Sequence, residues 1–196
     1  MALTPLATAA DLTDRGIAIT NTAGVTAQLA AASAAVRDAA GCAITLNTST
    51  VKFGTEVSRR IELPARPVRS VATVTLDGLP VTDYKLRGSS LWREIPWQAR
   101  GDIPSELTVT FTHGYDAVPA DVVDLVCALA GAGLAAVEEG FKAHSGIQSE
   151  SIDDYRVGFT TGQDAVVSVM ELPDRTRRYL RARFGSGGAL VVGSVQ

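Results

Sequence analysis

The stretch LTVTFTHGYDAVPADVVDLVCALAGAGLAAVEEG, residues 107–140, contains the change of period that decides the fold class. Up to His113 the period is two. Leu107, Val109 and Phe111 fall on one side and Thr108, Thr110 and Thr112 on the other, the alternation of a strand with one face in a core and one in water. Past Tyr115 the period becomes helical. Pro119 suits a first turn, Asp121 and Asp124 favour the positive end of a helix dipole, and the spacing predicts a helix over about 119–139, stopped by Gly140. Val122, Val126, Leu129 and Leu134 mark one side of it, while Ala128, Gly131, Ala132, Ala135 and Ala136 keep another side thin. A glycine inside a helix costs about 1 kcal/mol relative to alanine, so close backbone approach must offset Gly131 and Gly133, within the subunit or against a second one.

Outward from this stretch the same two periods recur. On the N-terminal side, residues 42–115 are rich in β-branched residues and read as antiparallel strands and hairpins. Val57, Arg59, Ile61 and Leu63 alternate with polar neighbours until Pro64; Val71 to Leu76 runs into the hairpin signal Asp77-Gly78; Tyr84 and Leu86 lead to a second turn at Gly88-Ser89-Ser90. Before that, Val25, Leu29, Ala32, Val36 and Ala39 line one helical face and predict a helix over about 23–40, with Thr22 as N-cap and Gly41 as stop; a short helix around Ala7 to Arg15 is weakly signalled. On the C-terminal side, an arm over 146–170 precedes a helix over 173–184, opened by Pro173 and ended by Gly185, and residues 186–196 read as a flexible tail. The class is α+β, three principal helices around a β-rich middle, in a single domain over 1–185.

The last predicted helix is amphipathic and cationic. Leu172, Thr176, Tyr179, Leu180 and Phe184 fall on one side and Arg175, Arg177, Arg178 and Arg181 on the other, with Arg183 at the end. From residue 172 onward there are five Arg and one Asp, a balance of +4, whereas the whole chain of 196 residues carries −3. A positive terminus on a negative body suits an acidic partner, a nucleic acid or another copy; a solvated face favoured by the helix C-terminus is the plainer account.

The composition, 46% hydrophobic and 20% charged, is that of a globular domain able to bury a core without metal or disulfide. Cys42 and Cys127, both in apolar contexts, read as two buried thiols in a reducing compartment. The longest uncharged apolar run, Leu125 to Val137, has 13 residues against the roughly 20 that span a bilayer, so no membrane span is expected. The N-terminus carries Asp11 and Asp14 and no basic segment, which argues against a secretory signal.

Chemistry-bearing patterns are sparse. The two histidines, His113 and His144, have no ligand-type neighbours at metal spacing, and the latter reads as part of a loop, GFKAHSG. No phosphate-cradling glycine loop or nucleophile elbow follows a predicted strand, and Glu138-Glu139 and Asp153-Asp154 read as solvated pairs. His113, Tyr115 and Asp116 are the only local candidates for an enzyme site. A nucleic-acid-binding module using the C-terminal arginines stays open, weakened by the absence of interleaved aromatics and of any recognised binding motif.

Taken in order, a first helix, ELPARPVRSVATVTLDG (62–78), DYKLRGSSLWR (83–93), LTVTFTHGYDAVPADVVDLVCALAGAGL (107–134), IQSESIDDYRVGF (147–159) and LPDRTRRYLRARF (172–184) resemble the head-to-tail adaptor proteins of long-tailed bacteriophages, the actinophage type in particular. The likeness spans roughly residues 20–185, and HGYDAVPADV and SESIDDY are its most specific pieces; relatives commonly have Gly where this chain has Asp153. The resemblance implies a non-enzymatic virion component without cofactor, assembled in the host cytoplasm. It would form a ring, of twelve copies, at the head-tail interface, attach to the portal, extend the DNA channel without sequence-specific binding, and receive the next neck or stopper protein. It places portal binding on the C-terminal helix: Arg175, Arg177, Arg178, Tyr179, Arg181 and Arg183. For the ring contact the expected arm is Ser149, Glu150, Ile152, Asp154, Tyr155, Val157 and Phe159, where strand-like alternation coexists with acids that discourage burial in the same subunit; an edge strand of its own sheet is the plainer account. A chain ending at Pro173 is expected to stay folded and lose portal binding.

Overall fold

A computed structural model describes residues 3–19, 22–55, 57–98, 104–144, 151–152, 155–156 and 170–185. Its elements follow in the order α1 (Ala9–Asp14), α2 (Thr22–Ala40), β1 (Asn47–Gly54), β2 (Arg60–Glu62), β3 (Val68–Leu76), β4 (Leu79–Pro80), β5 (Tyr84–Arg87), β6 (Ser90–Arg93), β7 (Glu106–His113), α3 (Ala120–His144), β8 (Ser151–Ile152), β9 (Tyr155–Arg156) and α4 (Asp174–Phe184). The fold is α+β, with antiparallel sheets. The chain divides into two compact units, residues 1–36 with 118–174, and residues 37–117 with 175–196.

The first unit is helical. α1 starts on a reciprocal cap: the Thr8 amide donates to Asp11 Oδ2 at 2.7 Å and the Asp11 amide donates to Thr8 Oγ1 at 3.3 Å. Hydrogen bonds from Thr8 hold the Asp11 carboxyl below the usual range. In α2 the expected face is the buried one, since Val25, Leu29, Ala32, Val36 and Ala39 are all buried and Gly41 ends the helix at φ 72°. Thr22 is the first helical residue, its carbonyl accepting from the Thr26 hydroxyl, so the expected N-cap lies one position further in.

α3 answers the glycine question in favour of packing inside the subunit. A Cβ on Gly131 would stand 3.0 Å from Ile17 Cδ1, and one on Gly133 only 2.5 Å from Gln28 Oε1 and 2.7 Å from the Met170 methyl. Arg15 Nε, just past α1, donates to Asp124 Oδ1 at 2.8 Å. Two expectations fail here. The helix does not stop at Gly140 but continues to His144, which is therefore helical and not in a loop; a glycine costs a helix about 1 kcal/mol and ends it only where a left-handed cap is formed. Counting uncharged residues alone also understated its apolar length: the 19 residues Ala120–Glu138, with mean hydropathy 1.9, are long and apolar enough to cross a membrane, and 28% of that segment is buried against the rest of the chain.

The second unit holds two sheets. The larger has the order β1-β7-β3-β4 and the smaller β2-β6-β5. β7 is the central strand, antiparallel to β1 from Asn47↔His113 to Gly54↔Glu106 and to β3 from Val68↔His113 to Leu76↔Leu107. Leu107, Val109 and Phe111 are fully buried as their alternation predicts, against Val51, Val74, Leu91 and Trp97. On the other face Thr48 bonds Thr112 at 3.1 Å and Thr50 bonds Thr110 at 2.8 Å, cross-strand hydroxyl pairs. The β3–β4 turn is the expected one, Asp77 and Gly78 at φ 51° and 81°. Alternation from Val57 to Leu63 does not make one long strand: only Arg60–Glu62 pairs, Val57 is 74% exposed and Leu63 is buried.

Gly114 explains the motif at 113–122. Its φ is 99°, and a Cβ would lie 2.3 Å from the Thr45 carbonyl oxygen, where the chain bridges to Tyr115 in order to leave the sheet for α3. α4 packs into this second unit. Phe184 is fully buried, its carbonyl accepts from the Arg66 amide at 2.7 Å and from Cys42 Sγ at 3.3 Å, and its ring meets Tyr115 edge-on at 5.8 Å. Burial pushes the half-buried Cys42 thiol up to about 11, whereas Cys127 is the fully buried cysteine of the two. A chain ending at Pro173 would therefore lose core, contrary to expectation.

We expect Phe184→Ala to cost about 3–5 kcal/mol of unfolding free energy in urea titration, the range for emptying a buried aromatic site; a loss under about 1 kcal/mol would show that α4 is not part of the core. His113 gives a second test. It is 2% exposed, bonded through Nε2 to Ser49 Oγ at 2.9 Å, with Nδ1 buried and unpartnered, and burial lowers its pKa from 6.5 to about 4. Because the unfolded chain takes up that proton first, the stability is whole above pH 6.5 and falls as the pH drops towards 4, by up to about 3 kcal/mol. His113→Gln should flatten that part of the stability profile; an unchanged slope would mean that His113 is already free to ionise in the folded state.

Candidate interaction surfaces

The six residues expected on the C-terminal helix come together as one surface. Arg175, Arg177, Arg178, Tyr179 and Arg181 are exposed along α4 while its Leu180 and Phe184 are buried; Leu172, just before the helix, is buried too. Tyr179 belongs with the arginines and not with the buried side where the wheel put it: it is 55% exposed, and its hydroxyl accepts from Arg183 Nη1 at 3.1 Å. Arg183 also lies 4.8 Å from the Phe184 ring centroid, so its guanidinium is held between two aromatic rings. Arg181 reaches the end of α2, its Nη2 being 3.3 Å from where a Cβ on Gly41 would stand. The result is a cationic ridge fastened to a buried aromatic, which limits the freedom an arginine surrenders on binding.

Of the expected arm, Ile152 and Tyr155 are described in their backbone: they face each other in the two-stranded pair of β8 and β9, beside Ser151↔Arg156. Ser149, Glu150, Asp153, Asp154, Val157 and Phe159 lie outside the described residues, as does the tail 186–196.

Two further surfaces stand out. Along α3, on the thin side read from the sequence, Ala128, Ala132 and Ala135 are exposed, with Leu125 and Leu129 half-buried beside them, an apolar strip of small side chains. On the small sheet, Arg60 pairs across to Trp92 and Trp92 to Lys85, so that the three stand abreast. The Arg60 guanidinium sits 5.4 Å from the Trp92 ring centroid and Trp92 is 41% exposed. An aromatic interleaved with cations is thus present after all, with Lys85 seven positions from Trp92 across a hairpin and Arg60 about thirty positions away, where linear reading does not see it.

The enzyme candidates do not converge. His113 is buried against Ser49 and Phe111, Tyr115 is turned onto Phe184, and Asp116 is exposed and paired with Arg69 at 3.2 Å. A groove of about 500 Å³ lined by Ala72–Thr75, Pro80–Thr82 and Tyr84 has Tyr84 as the one ionisable residue among these, and among the described residues no three metal-ligating side chains gather.

No family model and no curated protein matches this chain. Solved structures do match its fold. One is a chain of the "Neck of empty GTA particle computed with C6 symmetry", the particle of a gene transfer agent, at TM-score 0.52 and 16% identity, covering 90% of this chain and 93% of that one. At that identity the likeness is one of fold, and it extends over nearly the whole of both chains.

Proposed function

We propose that this chain is a structural protein of the neck of a phage or phage-like particle, an actinophage-type head-to-tail adaptor that makes and breaks no covalent bonds. Twelve copies form a ring beneath the portal, extend the DNA channel and receive the next neck protein. The observation that carries this reading is the end-to-end fold likeness to a chain of a particle neck, reached independently of the sequence motifs that led to the same place. The sixfold symmetry in that structure's description is compatible with twelve copies. The distribution of surfaces fits too: a cationic ridge held on α4, an apolar strip on α3 and, among the described residues, no convergent ionisable groups suit a part that joins other parts.

In this reading α4 meets the portal, its arginine forks taking carboxylates in pairs. Purified chain mixed with its own portal and imaged by electron microscopy with rotational averaging should show an added ring. Arg175→Glu with Arg177→Glu, both on exposed positions, should leave the melting transition within about 0.5 kcal/mol of the parent and weaken portal binding at least about tenfold. Undiminished binding would remove α4 as the docking element. The nucleic-acid reading of the same helix predicts instead that free DNA fragments bind with an affinity falling steeply with salt; strong binding of that kind without a portal would replace the adaptor reading.

A further inference from the structure

We propose that the solvent face of the small sheet β2-β6-β5 is the acceptor for the acidic arm of a second copy of this chain, an inference that rests on the ring reading above. The face is organised in two ranks by the strand register. Arg60, Trp92 and Lys85 form the first, and Glu62, Ser90 and Arg87 the second, two residues along each strand and so on the same side. The single carboxylate of this face is already engaged: Glu62 pairs with Arg60 and, at 2.8 Å, with Arg66, and accepts from Ser90 Oγ at 3.2 Å. Lys85 and Arg87 are exposed and have no carboxylate partner among the described residues. Between these cations lies the exposed indole of Trp92, a large apolar surface of the kind that anchors an interface.

What fits is a short segment with several carboxylates and one or two apolar side chains. The stretch Ser149 to Tyr155 of this chain has that composition: Glu150, Asp153 and Asp154 supply charge, Ile152 and Tyr155 supply apolar area. The local chain geometry agrees, since β8 and β9 are already in strand conformation and β5 is the outer strand of its sheet, with no neighbour on that side among the described strands. An extended arm can lie along such an edge and aim its carboxylates at Lys85 and Arg87. A closed ring needs two different surfaces on each copy, and an acidic arm with a cationic face is such a pair.

The test uses charge reversal in the full-length chain with portal as template. One variant carries Glu150→Lys, Asp153→Lys and Asp154→Lys; the other carries Lys85→Glu and Arg87→Glu. Each alone should assemble at least about tenfold less well than the parent, and an equimolar mixture should recover, because in an alternating ring every reversed arm meets a reversed face. Trp92 reports contact: Trp97, the chain's other tryptophan, is fully buried, so a blue shift of emission on assembly that is lost in Trp92→Phe belongs to Trp92 and should be absent with either charge variant alone. If both variants form rings as the parent does, the acceptor assignment is wrong and the ring reading stands. If the mixture does not recover while a single chain carrying both reversals does, the arm docks on its own face and the proposal falls. If the parent itself forms no ring on portal, it is the ring reading that has failed.

Discussion

The seat of Phe184 is the constraint from which the rest of this molecule follows. One residue at the end of α4 places its ring in the second unit's interior and its carbonyl under two donors, the Arg66 amide and the Cys42 thiol. Neither donor could be left unpaired cheaply in that interior, so the end of the helix is held from two sides. A cationic helix would otherwise have little reason to lie on the body at all, since its outward surface is arginine and water. Fixing one apolar end converts a mobile string of charges into a surface of definite shape, and an arginine whose stem is already packed gives up less freedom when its head binds.

The same economy operates at Gly114. The chain must leave the central strand and begin α3, and the Thr45 carbonyl stands where any side chain would be. Backbone contact at this corner is so close that the left-handed conformation and the missing Cβ are both required. The motif around it is therefore a statement about geometry, the passage from sheet to helix, and its presence says nothing by itself about binding. That separation matters when fold likeness is used to argue role, because shared corners establish shared architecture while the outward-facing residues decide what is recognised.

What could be read from the sequence was whatever repeats locally. The buried face of α2 and the alternation of β7 came through intact because a period of 3.6 or 2 is written in consecutive residues and the core merely accepts it. β1 was passed over: Ser49, Val51 and Phe53 do alternate, but a polar run of Asn, Thr and Ser hides the pattern until β7 supplies hydroxyl partners for it. The end of α3 was misplaced for the opposite reason, since Gly140 looks like a stop only if the chain turns there. For the surfaces, the α4 arginines were visible as a cluster in sequence, while the helical wheel put Tyr179 on the buried side although it is exposed beside them. Of the Trp92 platform, the Lys85 side lies across the hairpin turn already legible at Gly88-Ser89-Ser90, whereas the Arg60 side was invisible because it is brought there by pairing with a strand some thirty residues away, a non-local event.

These considerations bear on how a chain of modest net charge could build a ring that grows in one direction and then stops. Like surfaces meeting like produce twofold pairs and end there; only a surface that fits a different surface leaves one of the two free at each end of the growing object. Separating cations and acids onto distinct parts of the chain, Lys85 and Arg87 on the small sheet and Glu150, Asp153 and Asp154 in the arm, would meet that requirement while the chain as a whole carries only −3. The same separation bears on the order in which such a ring would assemble. Exposed ion pairs are worth little singly in water, so contacts of this type add up only when a template holds copies side by side and water is displaced from all of them together. On that argument, and within the ring reading, free subunits would stay apart until the surface on which the ring is built brings them together.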